Sequence, residues 1–332
     1  MDKASQRSPD AKQVENIVLM EDISSSEHFV RAGEEPRKVL AGIDLLIKRG
    51  QTWGINAGSL FEIKLLLEIM ANIRPYDSGR CVLIERGMLR HKRIILQHVF
   101  YIGSSDMLYI NMNVLEFLVF SMSKLKSNRL ELQEEIFEFV ISAGLGSISL
   151  SPVRMLTREE RAVVTLLAAA HSDSMTIVLN LPEYDFDELL TSAIAKISGY
   201  VRDRGKTLII GTQNSLLIEK ACSHTAYIAD GGLIFRGTVD QLRSDYDKIV
   251  IVIRDKNVYS LLDKLAALLP GYTLSIKNGV LIISNCGKEE SDPGYIYKKI
   301  AEADFAPDYM EINRKTVQNA YEELVFQHDL QK

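Results

Sequence analysis

Two stretches pair a small hydroxyl residue with a glutamate three positions on, just ahead of an apolar helical pattern: Ser59-x-x-Glu62 and Thr157-x-x-Glu160. Each reads as a reciprocal helix cap, the hydroxyl accepting from the first turn and the carboxylate accepting from the capping residue's own N–H. The first sits in Gln51–Lys64, QTWGINAGSLFEIK, a strand, loop and helix in succession. A helix N-terminus behind a glycine loop is a natural phosphate cradle, because its backbone N–H groups point outward unpaired. Here only Gly58 gives the loop backbone that freedom, and Glu62 opposes the chemistry. A carboxylate roughly 5 Å from a phosphate charge, at an effective dielectric of about 20, costs on the order of 3 kcal/mol per charge pair. The helix start is therefore expected to be satisfied by its own side chains.

The elements around the second cap are equally readable. Apolar residues recur at helical spacing through Val163, Leu166, Leu167 and Ala170. His171–Ser174 breaks the helix, and Met175–Leu181 is an apolar run of the kind found in buried parallel strands. Pro182 ends it, and an acidic turn leads to Asp187.

Without a gap, residues 153–190 resemble the segment of ABC-transporter ATPases that runs from the signature motif through Walker B to the D-loop. Leu156, Pro182 and Asp187 fall in register. On that resemblance the signature Ser-Gly-Gly-Gln is Thr157-Arg158-Glu159-Glu160. The Mg²⁺-side aspartate is Asn180, and the glutamate that would polarise the attacking water is Leu181. Gln51–Lys64 occupies the Walker A place, where the first and last glycines are Ala57 and Glu62, the lysine is Ile63 and the hydroxyl residue is Lys64. Lys64 comes one residue late, about 100° round the helix from where a phosphate lysine belongs. Residues 99–120 are similar to the Q-loop region through Tyr101, Val114 and Glu116, with Ser104 for the glutamine and Gly103 for the proline before it. Gln213 stands for the histidine that contacts the γ-phosphate, and Phe29 is nearest to the adenine-stacking aromatic. Asp230, Gly232, Ile234 and Gly237-Thr238 match the family's closing hairpin, here with a Gly231-Gly232 turn.

The resemblance implies an α/β, ABC-ATPase-like P-loop fold: a mixed sheet core, an antiparallel β subdomain and an α-helical subdomain over about 104–160. IVLMEDI (17–23) and LAGIDLLI (40–47) read as a hairpin or small antiparallel sheet, and 123–145 as an amphipathic helix with Leu132, Ile136, Phe137, Val140 and Ile141 on one face, expected to meet the core. A polar tail, 1–13, is expected to be disordered; the cassette covers 14–245. Residues 246–332 read as βα-ββ-αβ-α, a small α+β, ferredoxin-like unit similar to the extension on ATPase subunits of bacterial drug and bacteriocin exporters.

Hydrolysis in this family needs a metal-bound phosphate chain, a positioned water and charge neutralisation. With every such group replaced, the expectation is a pseudo-ATPase that uses neither ATP nor Mg²⁺. It would pair with an intact ATPase subunit and dock on an exporter's membrane permease. Arg158 and Glu159, in place of signature glycines, are expected to hinder a tight sandwich. Met107, Leu108, Tyr109, Ile110 and Met112 suit permease docking or an ordinary subdomain core. The alternatives are a scaffold or regulator without transport, and a working ATPase with rearranged residues.

Composition, 46% hydrophobic and 25% charged, is ordinary for a globular protein. A net charge of −5 with no Lys/Arg-rich run argues against nucleic acid. No apolar stretch approaches the roughly 20 residues of a membrane span. The polar start MDKASQRSPD carries no signal peptide, and Cys81, Cys222 and Cys286 have no metal-ligand spacing and read as free thiols. The expected location is cytoplasmic, at the inner face of the membrane through the permease.

Overall fold

Alternation in one set of strands and unbroken apolar runs in another sort the chain into two kinds of sheet. The computed structural model describes residues 15–30, 36–87, 97–104, 109, 111–122, 129–246, 250–255, 258–269, 272–277, 279–285, 293–302, 307–313 and 316–330. The chain divides into two compact units, Met1–Val239 and Asp240–Lys332. The 1–13 tail lies outside the described residues.

In the first unit, β1 (Asn16–Ser24), the short pair β2 (His28–Phe29) and β3 (Arg37–Lys38), and β4 (Ile43–Lys48) precede β5 (Thr52–Ala57) and helix α1 (Leu60–Met70). β6 (Ser78–Leu83) and β7 (Arg86–Gly87) follow. β4, β1, β6 and β7 form an antiparallel sheet in that order, with Leu19 opposite Leu46 on one side and Val82 on the other. The two N-terminal runs are thus antiparallel neighbours, and β6 is β1's second partner. Along β4 buried and exposed residues alternate strictly, as in a strand with one face on the core.

The second sheet takes β5 together with β8 (Val99–Ile102), β9 (Thr176–Asn180), β10 (Thr207–Gly211), β11 (His224–Ala229) and β12 (Gly232–Thr238). Its order is β12-β11-β5-β10-β9-β8, parallel except for the β11–β12 hairpin. Every residue of β5, β9 and β10 is buried, because both faces are covered. Val178 and Ile209 join α1 and the antiparallel sheet in one core. Their neighbours Ile177, Leu179, Leu208 and Ile210 point the other way. There they meet α2 (Val114–Met122), α3 (Arg129–Ser142), α4 (Arg158–His171), α5 (Glu188–Asp203) and α6 (Ser215–Ala221).

One expectation needs correction. On α3, Leu132, Ile136 and Val140 are buried, but Phe137 and Ile141 are 41% and 51% exposed. The buried three recur every fourth residue in a single stripe. Phe137 and Ile141 each lie one position further, about 100° round the helix, beyond the reach of that contact. A narrow stripe is enough where the helix touches its neighbours along one line.

After α7 (Val239–Tyr246), the second unit runs β13 (Val250–Arg254), α8 (Val258–Leu268), β14 (Tyr272–Lys277), β15 (Val280–Asn285), α9 (Pro293–Glu302), β16 (Tyr309–Asn313) and α10 (Val317–Leu330). The strand order is β14-β15-β13-β16, all antiparallel. This is the order that a split βαββαβ unit produces. Ile251, Ile253, Leu281 and Ile283 pack with Leu261 and Leu265 of α8 and Ile296 and Ile300 of α9. Among the described residues no helix is long and apolar enough to cross a membrane.

Candidate functional site

The loop between β5 and α1 is closed by its own chain. Ser59 caps α1, its hydroxyl accepting from Phe61 N–H at 3.2 Å, while Glu62 Oε2 accepts from Ser59 N–H at 3.2 Å. Glu62 Oε1 accepts from the backbone N–H of Gly231 at 3.1 Å, so both carboxylate oxygens are occupied and the residue is only 2% exposed. Burial pushes this carboxyl above its ordinary value of 4.5, while the N–H groups of Gly231 and Ser59 and the nearby Arg37 guanidinium pull the other way. Gly231 comes this close because it lacks a side chain. At φ +81°, a Cβ there would stand 3.0 Å from the carbonyls of Lys38 and Val39. Gly58 N–H is bound too, donating to Ile228 O at 3.1 Å.

Ile63 turns into the core, and the Lys64 side chain reaches to Glu183. The Lys64 ammonium lies 2.8 Å from Glu183 Oε1, with both side chains about one-third exposed or less. Asn180, at the end of β9, is 1% exposed. Its Nδ2 donates to Lys64 O at 3.0 Å and to Tyr101 Oη at 2.9 Å. Asn180 Oδ1 and Glu183 Oε2 are buried with no protein partner. Burial raises the Tyr101 phenol above its usual value, opposed by the Asn180 hydrogen bond. Glu183 and Gly231 escaped sequence reasoning as site residues. An acid in the turn after Pro182 was the visible signal for the first; the second was readable as a turn glycine, but not its bond to Glu62, 169 residues away.

At α4 the second capping box is formed. Thr157 N–H donates to Glu160 Oε2 at 2.8 Å and Glu160 N–H to Thr157 Oγ1 at 3.1 Å. Arg158 is ion-paired to Glu159 at 2.6 Å and its guanidinium lies 4.8 Å from the centre of the Tyr184 ring. Arg158, Tyr184, Leu181 and Tyr101 line a half-open cleft of about 280 Å³ along the edge strand β8.

The remaining positions are dispersed. Asp187 is the N-cap of α5, accepting from Leu190 N–H at 2.8 Å. Gln213 Nε2 donates to the carbonyl of Ala57 at 3.0 Å, tying β10's end to the loop. Ser104 is exposed just past β8. Phe29 faces protein groups: Arg37 lies 5.3 Å from its ring centre and Phe61 meets it edge-on at 6.1 Å. Tyr109 is exposed and packs edge-on to Phe120 at 5.0 Å, whereas Met112 packs on the helical core. Met107, Leu108 and Ile110 lie outside the described residues. Among the described residues no three His, Cys, Asp or Glu side chains are grouped to hold a metal ion.

Over 210 residues the chain is 26% identical to an uncharacterized ABC transporter ATP-binding protein of Nostoc sp.. That match takes in 61% of this chain and 61% of the relative's length. No protein-family model matches the chain. CbiO1 of Clostridium perfringens, part of the ABC transporter complex CbiONQ, has a similar structure. Its TM-score is 0.56 at 17% identity, covering 77% of this chain and 96% of CbiO1. The dimeric bacterial ABC transporter cassette MJ0796 gives a TM-score of 0.53 at 15% identity, over 67% of this chain and 98% of its own.

Proposed function

From the ATP-binding-cassette fold of ABC transporters, we propose that this chain is a catalytically degenerate cassette subunit of an ABC exporter. In this reading it pairs with an intact ATPase subunit and docks on a membrane permease, which holds it at the cytoplasmic face. The observation that carries the proposal is the Glu62 carboxylate. It accepts from the Ser59 N–H at the helix start, where a phosphate could otherwise be cradled, and from the Gly231 N–H. The residues at this place do not fit a triphosphate. A bound phosphate would face a buried carboxylate, and Lys64, the nearest cation in sequence, is engaged by Glu183. Asn180 and Leu181 offer neither a metal-side carboxylate nor a base for water. Pairing is suggested by the MJ0796 dimer, and docking by CbiO1's place in a transporter complex. The exporter assignment rests on the resemblance of the C-terminal α+β unit.

The test is a melting-temperature titration with Mg-ATP. A ligand at 100 times its dissociation constant stabilises by about 2.7 kcal/mol, several degrees in a unit of this size. No shift is expected at millimolar Mg-ATP. A clear shift that disappears in Lys64→Ala would overturn the reading. Pull-down of the tagged full chain from its native membrane tests the partners, which should be an intact cassette and a permease in equal amounts.

A further inference from the structure

The parallel sheet ends on one side at β8, which has β9 for a neighbour and no strand beyond it among the described residues. The unpaired N–H and C=O groups of a sheet edge are a template for another chain, so edges are commonly guarded by a charge or a proline. At the opposite edge, β12 carries Arg236 together with Gly232 and Gly237. β8 is Val-Phe-Tyr-Ile, with no charge and no proline.

Which backbone groups β8 leaves open follows from the registers. Thr207 N–H donates to Met175 O at 3.0 Å, and Thr207 stands opposite Thr176. Along a strand, successive residues turn their backbone groups to opposite sides. The Met175 carbonyl, Ile177 and Leu179 therefore turn to β10, and Thr176 and Val178 to β8. Val99 stands opposite Thr176 and Tyr101 opposite Val178, so the ladder bonds run to their neighbours, His98, Phe100 and Ile102. The N–H and C=O of Val99 and Tyr101 point away from the sheet. Neither residue has another backbone partner among the described residues.

This bare edge lies in the cleft of about 280 Å³ that Arg158 and Tyr184 also line. Five consecutive residues, 99–103, line it, so the cleft runs along the strand's backbone. A cleft over one face of the sheet would meet only alternate side chains. The far wall is a single stripe of α4, Arg158, Ala162 and Thr165, spaced i, i+4 and i+7. Arg158 Nε is taken by Glu159, and its side chain is 60% exposed. A guanidinium has five N–H donors, so its terminal nitrogens can hold a second carboxylate without displacing Glu159.

We propose that the β8 edge takes an extended segment of a partner protein as a seventh strand, with a carboxylate of that segment on Arg158. Hydrogen bonds to the backbone of Val99 and Tyr101 supply affinity, and the acid fixes the register. Alternate side chains of the added strand point toward α4, where the small Ala162 leaves room for an aliphatic group. A second copy of β8 does not meet the charge, since residues 98–104, His-Val-Phe-Tyr-Ile-Gly-Ser, contain no carboxylate. The strand site is separate from the Glu62 corner and does not depend on it.

Hydrogen exchange in the full chain reads the edge directly. The Val99 and Tyr101 amides should exchange at least about a hundredfold faster than those of Phe100 and Ile102, which the ladder holds. Millimolar acetyl-Thr-Val-Thr-Val-Glu-amide should slow Val99 and Tyr101 at least about tenfold, and the fully N-methylated peptide should leave them unchanged. Replacing the peptide's Glu by Gln should weaken binding at least about fivefold in the parent chain and not at all in Arg158→Gln. Protection in the free chain that rises with protein concentration would assign the edge to a second copy. Protection independent of concentration would assign it to the chain's own residues. Either result overturns the proposal, as does a lack of protection by the peptide or equal protection by its N-methylated form. The peptide comparisons use the unaltered chain, so they decide even where Arg158→Gln fails to fold.

Discussion

The backbone N–H of Gly231 donates to Glu62 Oε1 at 3.1 Å, joining positions 169 residues apart. It links the first helix of the sheet domain to the turn of the β11–β12 hairpin, and Ala41 N–H donates to Gly231 O at 2.8 Å in the same corner. Replacing Glu62 with Ala strips the acceptor from both the Ser59 and Gly231 amides. Losing a cap and leaving a buried N–H unmet costs about 1–3 kcal/mol. At roughly 2–4 °C per kcal/mol in a unit this large, calorimetry should show the melting point several degrees lower.

The same carboxyl gives stability a pH slope. Its native pKa is raised above 4.5, chiefly by burial. Between 4.5 and the native value, the folded state holds a proton that the unfolded chain has released. Stability from this group is therefore present at low pH and declines as pH rises through that interval. Glu62→Gln should flatten the slope of melting temperature against pH just above 4.5. Superimposable curves for parent and variant would mean that Glu62 titrates alike in both states.

Lys64 and Glu183 form a part-buried pair whose second carboxylate oxygen has no protein partner. Removing the lysine alone leaves an unpaired acid, whereas removing both charges does not. Lys64→Met is expected to cost about 1–2 kcal/mol. Lys64→Met with Glu183→Met should recover most of that in a denaturant-melt double-mutant cycle.

Placing an acid at position 180 should damage the fold without conferring ATP hydrolysis. Asn180 Nδ2 donates to the Lys64 carbonyl at 3.0 Å. In Asn180→Asp, a carboxylate oxygen would confront that carbonyl in a 1%-exposed position. The expected loss is about 2–4 kcal/mol, with no phosphate released from Mg-ATP. Measurable release would sink the proposed function.

Much of the architecture could be read directly. The apolar run Met175–Leu181 announced β9 as a buried strand, and both capping boxes were visible as Ser59–Glu62 and Thr157–Glu160. Those signals are local, fixed by residue type and spacing within one turn or strand. The partners of the unusual side chains were not visible. Lys64 finds Glu183 119 positions on, and His171 meets Tyr200 only once α4 and α5 lie together. Such contacts depend on helix packing, and no periodicity in a single segment encodes them. The Phe137–Ile141 misjudgement has the same root: a pattern gives the apolar side of a helix but not the width of its contact.

Strand β5 has a history as well as a position. Its six residues are buried, and its two neighbours, β10 and β11, both come late in the chain. Thr52 pairs with Leu208, 156 residues further on. At about 5–20 residues per second of synthesis, an apolar segment waits on the order of ten to thirty seconds for the strands that will flank it. During that interval it is an open template for the wrong partner. The birth of this protein on the ribosome, more than its finished form, is where a chaperone has work to do.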